Sequence, residues 1–166
     1  MTDQEKTLAL VVGGSSGLGY ELAKRFAETH GVIITGRKRP KQEVGTFYIL
    51  HLNDYEDIGE VLKNLMRHIG ERKIDTLVYA AGFAQFGEIQ HLRFREVLDM
   101  ACVGFLAPIL LIRMLIEKQG NLANLIVITS TSATVARKDE PVYCATKAGL
   151  AMFANCLSIS NSLGKV

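Results

Sequence analysis

Residues Val11 to Phe26 read VVGGSSGLGYELAKRF. An apolar run stops for glycines and serines, then passes directly into apolar residues at helical spacing. An ordinary surface turn needs one or two glycines. Here Gly13, Gly17 and Gly19 stand in a GxxxGxG spacing, with Gly14 as an extra. Glycine permits close backbone approach because no Cβ intervenes. A strand (Leu8–Val12), this turn and a helix from about Leu18 open a βαβ unit. Such a turn brings backbone N–H groups and a helix N-terminus against a phosphate, and the Ser15 and Ser16 hydroxyls add donors. Gly13, Ser15, Ser16, Gly17, Leu18 and Gly19 are therefore candidate phosphate-contacting residues. The competing reading is a tight strand-to-helix turn with no ligand.

Outward from this stretch, short apolar runs alternate with amphipathic ones. Strands are expected at Leu8–Val12, Val32–Thr35, Thr46–Leu50, Thr76–Ala80 and Asn124–Ser130. Helices are expected at Tyr20–Thr29, Asp54–His68, Phe94–Glu117 and Tyr143–Ser162; the second has Ile58, Val61, Leu62 and Leu65 on one side. Near-continuous apolar strands alternating with helices point to an α/β domain with a parallel sheet covered on both faces. No internal repeat, low-complexity segment or linker divides the chain, so residues 1–166 are read as one domain.

Composition limits the function classes. The 166 residues are 48% apolar and 22% charged, which argues against disorder, and the net charge of +2 marks no nucleic-acid or membrane partner. Cys102, Cys144 and Cys156 form no CxxC pair, and the four histidines show no metal-ligand spacing. With a polar start, MTDQEKT, these features lead us to expect a reducing, cytoplasmic location and no metal. The apolar stretch Met100–Ile112 is shorter than the roughly 20 residues of a membrane span. That helix and the last one, which has no charge between Lys147 and Lys165, are read as a subunit interface. The alternative is that both lie deep in one core.

After the second strand comes ITGRKRPK, where a doubly wound fold places the adenosine ribose. An acidic residue there suits the 2′-hydroxyl of NAD, and an arginine suits a 2′-phosphate. Arg37 is the candidate; Arg39 and Lys41 read as solvated charges. A charge-assisted contact from Arg37 is worth about 1.5–3 kcal/mol. NADP(H) is thus expected in preference to NAD(H).

The chemistry lies in TSTSATVARKDEPVYCATKAG, Thr129 to Gly149. Tyr143 and Lys147 are four apart near the start of a helix, on one face and about 6 Å apart along its axis. Ser130 precedes Tyr143 by thirteen residues and ends a strand, where open α/β sheets bind ligands. Tyrosine has a reference pKa of about 10, and a nearby ammonium lowers it by favouring the phenolate. Ser130, Tyr143 and Lys147 are the candidate catalytic residues.

With these motifs the chain resembles the short-chain dehydrogenase/reductase family. VGGSSGLG (Val12–Gly19) is similar to its TGxxxGxG, and DTLVYAAG (Asp75–Gly82) to its D-x-L-V-N-N-A-G. Ser130, Tyr143 and Lys147 fall on its catalytic serine, tyrosine and lysine. The resemblance implies a Rossmann-type doubly wound sheet of order 3-2-1-4-5 and a small-molecule carbonyl or alcohol substrate. It gives Tyr143 the role of acid or base, with Ser130 hydrogen-bonded to the same substrate oxygen. Lys147 would hold the nicotinamide ribose and lower the tyrosine pKa. Ala80, Ala81 and Gly82 would lie along the cofactor, with backbone contacts from Leu52 and Asn53. A homodimer or homotetramer through helices 94–117 and 143–162 is expected.

Three departures matter. Ala101, in MACVGF, stands where the family has an asparagine implicated in a proton relay. His51, in HLND, stands where the family has an adenine-contacting aspartate. The sequence ends at Val166, before the family's sixth and seventh strands and substrate-binding segment, so those strands are expected to be absent and the chain is read as a portion of a longer protein. The alternative function is a non-catalytic dinucleotide-binding or sensing module of the same fold.

Overall fold

The computed structural model describes residues 7–160 and 163–165. Strands β1 (Leu8–Val12), β2 (Gly31–Gly36), β3 (Thr46–Ile49), β4 (Ile74–Tyr79), β5 (Leu122–Val127) and β6 (Leu163–Lys165) form one sheet in the order β3-β2-β1-β4-β5-β6. All five pairings are parallel. β1 lies at the centre: Leu10 stands opposite Ile33 on one side and Leu77 on the other. The strand has no polar residue because alternate side chains enter two different cores. Leu10 and Val12 join the larger core with Ile33, Leu62, Leu77 and Leu111. Ala9 and Val11 join the smaller one with Ala23, Ile34 and Val78.

The helices are α1 (Gly17–Ala27), α2 (Ile58–Ile69), α3 (Phe94–Ala101), α4 (Ala107–Gln119) and α5 (Pro141–Ser158). α2 begins at Ile58 because Tyr55–Asp57 form a turn; its apolar stripe starts with Ile58 itself. α5 ends at Ser158, short of the expected end; Ser162 lies outside the described residues. The expected helix Phe94–Glu117 is present but carries a π-turn at Cys102–Leu106 between α3 and α4. The combined run Phe94–Gln119 is long and apolar enough to cross a bilayer by length and composition, yet half of its most apolar window is buried inside the fold. It packs beside α5 through small residues. A Cβ at Gly104 would stand 2.9 Å from the Thr146 hydroxyl, and one at Gly149 would stand 2.8 Å from the Phe105 ring. Part of the apolar surface read as interface is therefore used within the chain.

One expectation is corrected at the sheet edge. The order 3-2-1-4-5 holds, but the sixth strand is not absent. Leu163–Lys165 forms a three-residue β6, with Leu122 opposite Leu163 and Asn124 opposite Lys165. β5 offers unpaired backbone groups that a short following segment can take up, and Leu163 packs against the larger core.

Candidate active site

The C-terminal ends of β1, β2 and β4, with the turns that follow them, enclose a cavity of about 690 Å³. Its wall at one end is the β1–α1 turn. Gly13 has φ +80°, and a Cβ there would meet the Ala81 nitrogen at 2.5 Å, so the turn lies directly on the β4 exit. Gly17 has φ +56° and open space where a Cβ would stand. The N-cap of α1, Ser16, makes no side-chain capping bond, so it does not occupy the first-turn N–H groups. This is a cradle suited to an anion.

Gly13, Ser15, Ser16, Gly17, Leu18 and Gly19 all line the cavity, as do Arg37, Leu52, Asn53, Ala80, Ala81 and Gly82. Gly14 does not; a Cβ there would meet Ile34 at 2.7 Å, so its smallness serves packing. Arg37 is exposed at the rim and has no ion pair among the described residues. Arg39 instead stacks on Phe47 at 5.4 Å and reaches Glu43 at 4.0 Å. His51 is exposed and lies outside the cavity wall.

Lys147 is buried on α5, and its Nζ donates to the Ile128 carbonyl at 2.8 Å. That nitrogen lies 5.7 Å from the Tyr143 ring centroid, and a Cβ at Gly82 would approach it to 3.2 Å. Ile128 and Gly82 both line the cavity, so Lys147 and Tyr143 adjoin its other end without lining it. Burial lowers the Lys147 pKa below that of a free lysine. Ser130 opens the 3-10 turn Thr131–Ala133, and its Oγ accepts from the Ser132 N–H at 3.1 Å, leaving its own O–H free to donate. No hydrogen bond joins Ser130 to Tyr143 among the described residues. The loop between them is tied by Ser132 Oγ, which donates to Glu140 at 2.8 Å, and by Arg137, which donates to the Thr131 hydroxyl at 3.2 Å.

Sequence reasoning missed four lining residues with consequences. Thr35 is fully buried near the end of β2, and its hydroxyl has no hydrogen-bond partner among the described residues. Asp99 and Val103 bring the α3 helix and the π-turn to the wall, and Ile128 carries the carbonyl that holds Lys147. The strand-end rule that located Ser130 would also have located Thr35 and Ile128. Among the described residues no group of acidic, histidine and cysteine side chains is arranged to hold a metal.

The residues present fit a nicotinamide dinucleotide. The open cradle at Gly17 and the exposed arginine at the rim, which has no ion pair among the described residues, suit a polar, anionic ligand.

The family model for short chain dehydrogenases matches residues 7–162. Among curated proteins, the chain is 26% identical to the NADPH-dependent 3-dehydrocapnine reductase of Ornithobacterium rhinotracheale, over 84% of this chain and 54% of that one. It is 28% identical to an uncharacterized oxidoreductase of Saccharomyces cerevisiae, over 90% of this chain and 51% of that one. The chain thus spans about half the length of these relatives. Among solved structures, a short-chain dehydrogenase/reductase from Burkholderia vietnamiensis superposes with a TM-score of 0.84 at 21% identity, covering 97% of this chain and 82% of that one.

Proposed function

This chain belongs to the short-chain dehydrogenase family, and we propose that it is the cofactor-binding and catalytic portion of an NADP(H)-preferring oxidoreductase that interconverts a carbonyl and an alcohol. The observation that carries this reading is a buried ammonium, Lys147, set 5.7 Å from the Tyr143 ring at one end of the cavity. Lys147 has no carboxylate partner among the described residues; a buried cation so placed is costly to fold around, and its position beside a tyrosine gives it a chemical use. NADPH, when bound, supplies a hydride to the substrate carbonyl carbon, and NADP⁺ accepts one in the reverse direction. The residues of this chain manage the proton. The Tyr143 hydroxyl gives its proton to the carbonyl oxygen as negative charge develops there, and the Lys147 ammonium stabilises the phenolate left behind. The free Ser130 O–H donates to the same oxygen. The Gly13–Gly19 turn and the first turn of α1 hold the pyrophosphate, and Arg37 takes the 2′-phosphate. The NADPH dependence named for the Ornithobacterium relative supports the cofactor preference.

One observation favours a second reading. Ala101 offers no side-chain polar atom where the family has its relay asparagine, which suits a module that binds the dinucleotide without turnover. Tyr143→Phe in the full-length protein decides between them. The variant keeps the ring and deletes the hydroxyl, so NADPH affinity stays within about twofold while carbonyl reduction falls by roughly 100-fold or more. NADPH binding with no reduction by the wild type across a broad carbonyl panel selects the binding module.

We also propose that the chain self-associates through the helical run Phe94–Gln119, at its π-turn, and α5. Phe105, Leu106 and Met152 are 38%, 40% and 62% exposed, and the Phe105 ring lies against Gly149, one turn before Met152. Exposed apolar side chains grouped in this way mark an interaction surface.

A further inference from the structure

We propose that Asp99 reads the exocyclic amine of the cofactor's adenine. This rests on the dinucleotide reading above and deepens it.

Two charged side chains line the cavity, Arg37 and Asp99. Arg37 complements phosphate. A carboxylate in a cavity meant for a polyanion is repulsive unless it is locally neutralised. Asp99 meets this condition. It belongs to α3, and its side chain is 18% exposed. Its Oδ1 accepts from Arg95 Nε at 2.8 Å. The same guanidinium donates through Nη2 to the Asn53 carbonyl at 2.8 Å and stacks on Tyr55 at 4.9 Å. Arg95 therefore fixes the carboxylate against the loop after β3, the loop whose Leu52 and Asn53 line the cavity.

The other carboxylate oxygen, Oδ2, has no partner among the described residues. A half-buried acceptor of this kind gains from an N–H donor and rejects another acceptor. Leu50 and Leu52 give the same cavity an apolar wall suited to a flat ring. The chemistry that meets both features is a purine bearing an amine. His51, in the loop after β3, is exposed and does not line the cavity, so the carboxylate on α3 is the anionic acceptor there.

The test compares NADPH with its hypoxanthine analogue, deamino-NADPH, in which an oxo group replaces the amine. Dissociation constants come from titrations of cofactor fluorescence. The wild type binds NADPH at least tenfold more tightly than the analogue. Asp99→Asn, which presents an N–H of the same shape, brings the ratio to about one or inverts it. Arg95→Met, which frees the carboxylate, reduces the ratio while keeping Asp99. Equal wild-type affinities overturn the proposal without any variant, as does a wild-type ratio retained in Asp99→Asn. If neither dinucleotide shows saturable binding, the cofactor reading itself fails and this proposal with it. If NADPH binds and the analogue binds equally well, only the role of Asp99 fails.

Discussion

Lys147 places the sharpest demands on its surroundings. Its ammonium is buried, has one carbonyl partner and titrates below the usual lysine value. The unfolded chain holds that charge in water at the ordinary pKa, so folding is penalised wherever the group is charged in both states. The penalty applies in full below the folded pKa and is relieved as pH rises through it toward 10.5. Lys147→Met in the cofactor-free protein should therefore raise the melting temperature at pH 7 by a few degrees. The difference should shrink as the pH approaches 10, and calorimetry across pH checks both. The same variant should bind NADPH at least tenfold more weakly. A melting temperature lowered at every pH would assign the residue a purely structural role. The positions of Lys147 and Tyr143 were legible in the sequence from helical spacing, and Ser130 was expected at the end of a strand, although β5 stops at Val127 and Ser130 opens the turn that follows. Asp99 was not legible: on a helix it reads as one more solvated charge, and only the Arg95 bridge to Asn53 brings its surroundings to the cavity.

Helices and strands carry a second lesson. Strands β1 to β5 and the helical stretches that build the larger core could be read from apolar periodicity, since burial is what the periodicity records; the short β6 could not. The π-turn at Cys102–Leu106 could not, because it depends on a contact between distant elements. Tyr79 replaces a family asparagine at the end of β4, and its buried hydroxyl donates to the Val103 carbonyl at 2.7 Å inside that turn. Burial pushes the Tyr79 pKa well above its usual value, so it stays a donor throughout the working pH range. Tyr79→Phe leaves a buried carbonyl unpaired and should cost about 1–3 kcal/mol in denaturant unfolding. Because Val103 and Asp99 share the wall of the cavity, NADPH affinity should fall as well. Unchanged stability would mean that the turn is held by packing alone.

For the whole molecule, the sheet places the cradle, the rim arginine and the Tyr143–Lys147 pair around one cavity by bringing together strand ends far apart in sequence. Self-association is the next level. Phe153 packs against the larger core and is a poor probe of an interface; Met152, on the open face of α5, is a better one. Met152→Glu should shift sedimentation toward monomer with the helical signal preserved, whereas a monomeric wild type at micromolar concentration would contradict the interface. The proposed activity depends on the dinucleotide site, and cofactor binding can be measured without a known substrate. Titrating the chain with NADPH and NADH, by cofactor fluorescence at fixed ionic strength, is the most direct test. The wild type should favour NADPH by at least tenfold, and Arg37→Asp should reverse the order. Equal affinities, a preference for NADH, or no saturable binding of either would contradict it.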